Sequence, residues 1–267
     1  MTLQITVLGC GSSGGVPRLG GDWGACDPAN PKNRRRRCSI LVERIDPQSG
    51  ERTRVLIDTS PDLREQFLDA GICRVDGVLY THDHADQTHG IDDLRPAVYK
   101  TGRQIDMFMN EDTRKVLVKR FGYIFKTPPG SYYPPIARLH VIDKHQPITI
   151  DGPGGRIEAI AFEQDHGQIT SLGFRIGDFA YVNDLVGLPD ESYSFLQAVD
   201  LLIVDALRYT VHPTHFNVEQ ALALIKRLKP RKAVLTNMHI DLDYNTLAGQ
   251  IPEGVEPAFD GMILESS

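Results

Sequence analysis

Three side chains of metal-ligand type follow one apolar run. In Val78-Leu79-Tyr80-Thr81-His82-Asp83-His84-Ala85-Asp86 the run reads as a buried strand that hands His82, His84 and Asp86 to a polar turn. Neutral imidazole nitrogens and a carboxylate oxygen suit zinc, manganese or iron. Alternate residues on an extended backbone point to one side, so these three can converge on a small volume. The next helix is expected to start at Gly90-Ile91. The simpler alternative is a solvated loop with scattered histidines. Three of the chain's nine histidines, His82, His84 and His89, fall within eight positions, and that concentration favours a metal site.

Polar residues of the same types end further apolar runs. One such residue is unremarkable, since every strand must end. Six of them, Asp58, His82, His166, Asp184, Asp205 and His239, imply strand ends gathered along one edge of a sheet stack, where α/β proteins place their sites. Between Asp205 and His239 lie Arg208, His212 and His215. They precede an amphipathic helix with Val218, Ala221, Leu222, Leu224 and Ile225 on its apolar face. His140 and His145 stand alone in strand and turn contexts and read as structural.

The elements that must position these groups alternate strand and helix, which indicates an α/β fold. Gln4–Leu8 reads as a strand leading into Gly9-Cys10-Gly11-Ser12-Ser13-Gly14-Gly15-Val16-Pro17. No Gly-Lys-Ser/Thr follows, so this is not a P-loop, and it reads first as a turn whose amides could meet a phosphate. Arg34-Arg35-Arg36-Arg37 reads as a solvated loop. Residues 38–42 and 54–58 pair around a polar hairpin, and a helix is expected from Pro61 to about Ala70, with Pro61 at its first position. Residues 104–109 make another strand and 111–120 a helix. The aromatic and proline-rich stretch 121–135 suggests an ordered lid or an interface loop. A second group of strands is expected at 139–142, 148–150 and 157–162.

A chain of 267 residues with 41% hydrophobic content can bury one large core, and we read residues 1–267 as a single domain. The formal charge of -6 gives no global footprint for a nucleic-acid polymer. No run of 18 apolar residues or signal-peptide pattern is seen, so a cytoplasmic location and no membrane association are expected. The four cysteines lack C-x-x-C spacing, which argues against a disulfide framework or a four-cysteine zinc site.

Together these residues resemble the metallo-β-lactamase superfamily: His-x-His-x-Asp after a strand, a later lone histidine, a strand-ending aspartate and a final histidine. Within it the chain is similar to the branch of the phosphoribosyl cyclic phosphodiesterase of the carbon-phosphorus lyase pathway. The resemblance covers nearly the whole length, including Gly15-Val16-Pro17, the Arg-Arg-x-Cys-Ser segment and Phe259-Asp260-Gly261-Met262. It implies a four-layer αββα sandwich of two mixed sheets flanked by helices, built from two similar halves. It also implies two divalent ions, manganese or zinc. His82, His84 and His166 would hold one, Asp86 would hold the second, and Asp184 would bridge them. A hydroxide activated by the ions would attack phosphorus, with Asp86 part of the catalytic centre and His215 facing the phosphate. Arg208 and His212 would help bind a small phosphorylated, nucleotide-like substrate. A homodimer is compatible with this reading.

The chain departs from the family pattern at three places. Gln87 stands where a histidine ligand is usual, and Asn237 stands where another is expected; both belong to the second ion, which should therefore bind more weakly. His239, two residues beyond Asn237, is a candidate replacement ligand, and His89 a poorer one. Only Cys26 remains near the positions that hold a structural zinc in some relatives, so that zinc is expected to be absent. The favoured function is a metal-dependent phosphodiesterase acting on a small cyclic ribose phosphate or nucleotide-like ester. The alternatives are a metal-binding protein with little catalysis and a hydrolase of thioesters or lactams.

Overall fold

The computed structural model describes residues 2–143 and 146–266, so His145 lies outside the described residues. The first half supplies β1 (Leu3–Gly9), β2 (Ser39–Ile45), β3 (Arg52–Ile57), β4 (Gly77–Leu79), β5 (Ile105–Met109) and β6 (Ala137–Val141). The second supplies β7 (Pro147–Ile150), β8 (Ile157–His166), β9 (Ile169–Ile176), β10 (Phe179–Val182), β11 (Leu201–Asp205), β12 (Lys232–Thr236) and β13 (Val255–Pro257), and β14 (Ile263–Ser266) returns to the first. They form two seven-stranded sheets, ordered β14-β1-β2-β3-β4-β5-β6 and β13-β12-β11-β10-β9-β8-β7. In the first sheet, pairing is antiparallel up to β3 and parallel from β3 to β6. In the second it is antiparallel from β7 to β10 and parallel from β10 to β13.

Alternation along the strands explains the layers. Ile40, Val42, Val55, Ile57 and Leu79 face the second sheet and join Ala159, Ala161, Phe174 and Tyr181 in the main core. Their neighbours Leu41, Leu56, Val78 and Tyr80 face the other way, toward α1 (Leu63–Asp69), α3 (Arg95–Thr101) and α4 (Glu111–Phe125). Fully burying such side chains stabilises the fold by about 1.5–3 kcal/mol each. On the far side α5 (Val218–Leu228) buries Val218, Ala221, Leu224 and Ile225, with Asn217 and Gln220 closing a capping box. The result is the expected four-layer αββα sandwich. No helix among the described residues is long and apolar enough to cross a membrane.

Several local expectations are corrected. The first helix starts at Leu63, because Pro61 sits in the turn before it and the Asp62 carboxylate pairs with Arg37 instead of capping. A helical turn does start at Ile91 after Gly90, as expected, but a further short helix, α2 (Ala85–Thr88), precedes it, so Asp86 stands on a helical first turn and not on extended chain. Gly90 is needed for close packing, since a Cβ there would overlap the Ser60 carbonyl. Helix α4 continues to Phe125 into the supposed lid, past non-helical torsions at Phe121. Strand β6 joins the first sheet, beside β5, and not the second group.

The arginine run is not uniformly solvated. Arg35 is only 2% exposed, with its guanidinium donating to the Leu242 carbonyl at 2.7 Å and lying 3.8 Å from the Cys26 sulfur. Its neighbour Asn33 donates to Asp243 at 2.6 Å. Asp243 caps α6 (Tyr244–Ala248) by accepting from the Thr246 amide at 2.9 Å, and it also accepts from the Asp27 amide. Desolvation pushes its carboxyl upward, but these hydrogen bonds outweigh it and lower the carboxyl to about 2. A carboxyl depressed in the fold contributes stability above its ordinary range and loses it as pH falls through about 2. Asp243→Ala should therefore cost about 1 kcal/mol in urea unfolding at neutral pH. The difference from wild type should shrink as the titrations are repeated at pH values descending through the acid range.

Candidate metal centre and active-site cleft

The two strands at which pairing switches from antiparallel to parallel, β3 and β10, are followed by Asp58 and, past Asn183, by Asp184. Both residues take left-handed torsions, φ 63° and 57°, as does Asn237 after β12 at φ 61°. Aspartate and asparagine tolerate that region better than most residues, so the chain can turn sharply at each; Asp184 and Asn237 then line the cleft, and Asp58 faces Thr81 instead. The first sheet is tied to the second here, because the Leu172 amide of β9 donates to the Thr81 carbonyl at 2.9 Å.

His82, His84 and His166 converge. Their ring centroids lie 4.4, 5.0 and 5.1 Å apart, and their candidate ligand atoms are within 4.8 Å of one another. Hydrogen bonds fix which nitrogen is free. His166 Nδ1 donates to the Thr214 carbonyl at 2.8 Å. His82 Nδ1 meets Thr81 Oγ1 at 2.9 Å, and that hydroxyl donates to Asp58 Oδ2 at 2.8 Å. His82 Nε2 is left buried without a hydrogen-bond partner among the described residues. Burial, helped by the neighbouring His84, His166 and His215 rings, holds His82 well below the usual imidazole range. Burial likewise lowers His166 to about 4. Three imidazoles whose donor atoms converge on a small volume, with Nδ1 of His82 and of His166 engaged elsewhere, are a donor set that suits a divalent ion, so the first site fits a metal.

Asp184 lies beside this cluster and is 2% exposed. Its Oδ2 accepts from Asn183 Nδ2 at 2.6 Å and Gln87 Nε2 at 3.2 Å, and its Oδ1 from Asn237 Nδ2 at 3.1 Å. The two residues that replace histidines thus act as donors to the carboxylate. Burial raises the Asp184 carboxyl, against the pull of His215. His215 Nδ1 binds Asp205 Oδ2 at 2.8 Å and lies 3.7 Å from Asp184 Oδ1. Burial alone would lower His215, but the Asp205 bond and the charges of Asp205, Asp184 and Asp86 lift it to about 9. His166, Asp184 and His215 form a second set of donor atoms within 4.8 Å.

A cleft of about 580 Å³ opens over these groups, lined also by Asp86, Arg208, His212 and His239. Asp86 stands outside both converging donor sets and 3.4 Å from Gln87 Nε2. His239 does not replace Asn237. Its Nε2 contacts Arg18, and its Nδ1 lies 3.0 Å from Asp241, because the turn after β12 rotates it to the cleft rim. His89 is turned away and packs edge-on to Phe121. His140 pairs with Asp106 and stacks on Phe108. No residue of 121–135 lines the cleft. Near Cys26 the lone thiol adjoins the Arg35 guanidinium and packs with Val16 and Ile240, which is not a zinc donor set.

The Beta-lactamase superfamily domain matches residues 53–240. The chain belongs to this superfamily. A diphosphatase from the PhnP family, known from its crystal structure, matches with a TM-score of 0.87 at 35% identity, over 100% of this chain and 98% of its own. YhfI from Bacillus subtilis, a metallo-beta-lactamase fold protein, has a TM-score of 0.71 at 19% identity, over 99% of both chains. The Zn(2+)-bound PqqB from Methylobacterium extorquens has a TM-score of 0.71 at 15% identity, over 98% of this chain and 99% of its own. These last two share the fold. A protein of Porphyromonas gingivalis (strain ATCC BAA-308 / W83) named octanoyltransferase is 30% identical over 265 residues, which are 97% of this chain but 51% of that protein. The chain spans about half the length of that curated relative. With the family and the histidine cluster together, the chain is a metallo-beta-lactamase superfamily domain of the PhnP branch whose clustered histidines suit a divalent metal.

Sequence reasoning missed the residues that hold the ligands in place. Asp58 and Asp205 were visible as strand ends, but their roles against Thr81 and His215 need the fold. Thr81 itself carries no signal in a strand. Removing its hydroxyl leaves His82 Nδ1 and Asp58 Oδ2 unpaired, so Thr81→Val should weaken zinc affinity about 10- to 100-fold. Chelator competition with a folded, circular-dichroism-checked variant measures it.

Proposed function

We propose that this hydrolase is a phosphodiesterase acting on a small cyclic ribose phosphate or a nucleotide-like ester. The observation that carries the reading is one cleft lined by His84 and His166 of the histidine cluster, by His215 and by two guanidinium groups, Arg18 and Arg208. Guanidinium groups suit phosphoryl oxygens, and a lactam or thioester carbonyl has no need of them. The PhnP-family relative is itself a diphosphatase, which supports phosphoryl chemistry.

In this reading His82, His84 and His166 hold the first ion, and Asp184 with Asp86 offers carboxylates to a second. Divalent ions there would supply water activation and neutralise charge developing on the phosphoryl oxygens. His215 is oriented by Asp205, which takes Nδ1 and leaves Nε2 to donate to a phosphoryl or leaving-group oxygen. Asp184, held by three amides, keeps its carboxylate fixed between the two sheets. Arg208 donates to the Thr210 and Val211 carbonyls and so presents a positioned cation with His212 at the mouth.

Bis(p-nitrophenyl) phosphate should be hydrolysed with added manganese or zinc, while nitrocefin and an acyl thioester should not; the reverse preference sinks the assignment. His215→Ala should lower turnover by about 100-fold or more with bound metal unchanged. Loss of metal in that variant would make His215 a ligand.

The second ion is expected to be the weaker, because amide donors already occupy both Asp184 oxygens and amide oxygens bind transition metals poorly. Manganese titration of chelated protein should show one ion retained tightly and a second restored only at high concentration, with activity rising as it returns. Gln87→His should tighten that second ion. A second reading, a metal-binding protein with little catalysis, is favoured by the same two amides. Full occupancy without turnover of any ester would select it.

A further inference from the structure

The outer face of the first sheet changes character along its strands. Helix α1 covers Leu8, Leu41 and Leu56 through Leu63 and Phe67. One step further along the same face the strand pairing sets Gln4, Glu43 and Arg54 in a row, with Arg52 beyond them, and these floor an open groove. Glu265 stands next in that row at the sheet edge, outside the groove's lining. The sides are the C-terminal end of α1, the turn at Asp260-Gly261, and Arg34 and Arg36. The groove has a volume of about 600 Å³, close to the 580 Å³ of the metal cleft, and the two share no lining residue among the described residues.

Charge is unevenly shared there. Arg34, Arg36, Arg52 and Arg54 line the groove with the acids Glu43, Asp69 and Asp260, so arginines outnumber acids in a chain of net charge -6. The Glu43 side chain lies beneath, 5% exposed, and serves two arginines at once, Arg52 Nη1 at 2.9 Å and Arg54 Nε at 2.8 Å. One carboxylate cannot occupy every donor of two guanidinium groups. Asp260 spends its oxygens on the backbone amides of Cys10, at 3.2 Å, and Arg36, at 2.8 Å. Asp69 pairs with Arg36 and is otherwise turned to solvent. Arg34 is exposed, and its side chain has no hydrogen-bond or ion-pair partner among the described residues.

An uncharged group on the wall is also incomplete. Gln66 is 1% exposed, and its Nε2 donates to the Arg37 carbonyl at 2.9 Å, which fixes the orientation of the amide. Its Oε1 is left buried without a hydrogen-bond partner among the described residues. A buried acceptor in that state is unfavourable until a donor reaches it.

We propose that this groove is a binding site, separate from the metal cleft, for a small multiply charged oxyanion that also carries a hydroxyl group. The guanidinium groups of Arg34, Arg52 and Arg54 meet the anionic oxygens, and the hydroxyl donates to Gln66 Oε1. Two sources share this chemistry: a phosphate monoester of a sugar, and a hydroxylated dicarboxylate. A concave volume of this size suits a small molecule better than the flat face of a protein.

The test measures binding to the chelated full chain by calorimetry, with ribose 5-phosphate and methyl phosphate as one pair of probes and malate and succinate as the other. At least one pair should bind saturably, which identifies the source, and its hydroxyl-bearing member should bind the more tightly. Arg34→Glu should weaken that binding about tenfold or more, and Arg34→Lys should keep most of it. Arg54→Gln should weaken it as well. That change leaves Glu43 with one arginine, so its fold is checked by circular dichroism; Arg34 is exposed and unpaired, and its variants decide the matter if Arg54→Gln does not fold. Arg208→Ala, at the mouth of the metal cleft, should leave the binding unchanged. No saturable binding of any probe, or binding kept in Arg34→Glu and lost in Arg208→Ala, overturns the site. So does a concentration-dependent dimer in sedimentation that Arg34→Glu dissociates while no probe binds, which would assign the face to a second copy of the chain.

Discussion

The site is built around a buried carboxylate that must not be left alone. Asp184 sits between two sheets at 2% exposure, where an unpaired charge would cost several kcal/mol. Its surroundings answer that cost. Asn183 comes from the same turn, Gln87 from α2 of the first half, Asn237 from the end of β12, and His215 from the loop after β11. Three segments distant in sequence join its own turn at one atom pair, and His82 and His84 lead into the same α2 that carries Gln87. Ser171 adds a 2.6 Å hydrogen bond to the Asp184 backbone carbonyl, so the residue is held at both ends.

That convergence depends on a symmetry of pairing. Each sheet changes from antiparallel to parallel at one strand, β3 or β10, and a left-handed aspartate follows each, Asp58 directly after β3 and Asp184 two residues past β10. The change creates a crevice at the strand ends, because the connections on the two sides leave in different directions. The two aspartates have diverged within this common geometry. Asp58 turns to Thr81 and orients a ligand from behind, whereas Asp184 faces the cleft itself. The equivalence of the positions explains why one scaffold can supply both a ligand-bearing edge and its support.

The core and the members of the histidine cluster were legible because both are local signals. Alternating apolar residues mark a buried strand, and His82, His84, His166 and Asp184 each follow one. Asp86 was recognised for its type and spacing, but the extended backbone supposed for it is a helical turn. Arg35 was misread because a run of four arginines is normally solvated. Its burial depends on the carbonyl of Leu242, more than two hundred positions away, which no local pattern contains. Strand β6 was placed in the wrong sheet for the same reason, since its own alternation says that it is a strand and nothing about its partner. Strands β9 and β13 escaped notice because one is interrupted by Gly173 and the other has three residues. Arg18 lies in irregular chain where no periodicity marks it. Its place in the cleft follows from the fold of the glycine-rich loop.

The substitutions at 87 and 237 have a consequence that residue type alone conceals. A histidine serving a metal turns a lone pair inward, and without the metal that lone pair faces the Asp184 oxygens and repels them. An amide at the same place turns an N–H inward and attracts them. The exchange therefore removes the carboxylate's dependence on a second cation: Gln87 and Asn237 satisfy it with neutral donors at 3.2 and 3.1 Å. Such a site keeps its geometry whether or not a second ion is present, and any ion that enters must first displace hydrogen bonds each worth about 1 kcal/mol or more. The imidazoles of His82 and His166 face no such competition, because their supporting bonds to Thr81 and Thr214 engage Nδ1 and leave Nε2 free. The Asp184 carboxylate thus differs from the histidine cluster in what already faces it: amide N–H groups from Gln87 and Asn237 point at its oxygens, whereas His82 Nε2 is buried without a hydrogen-bond partner among the described residues.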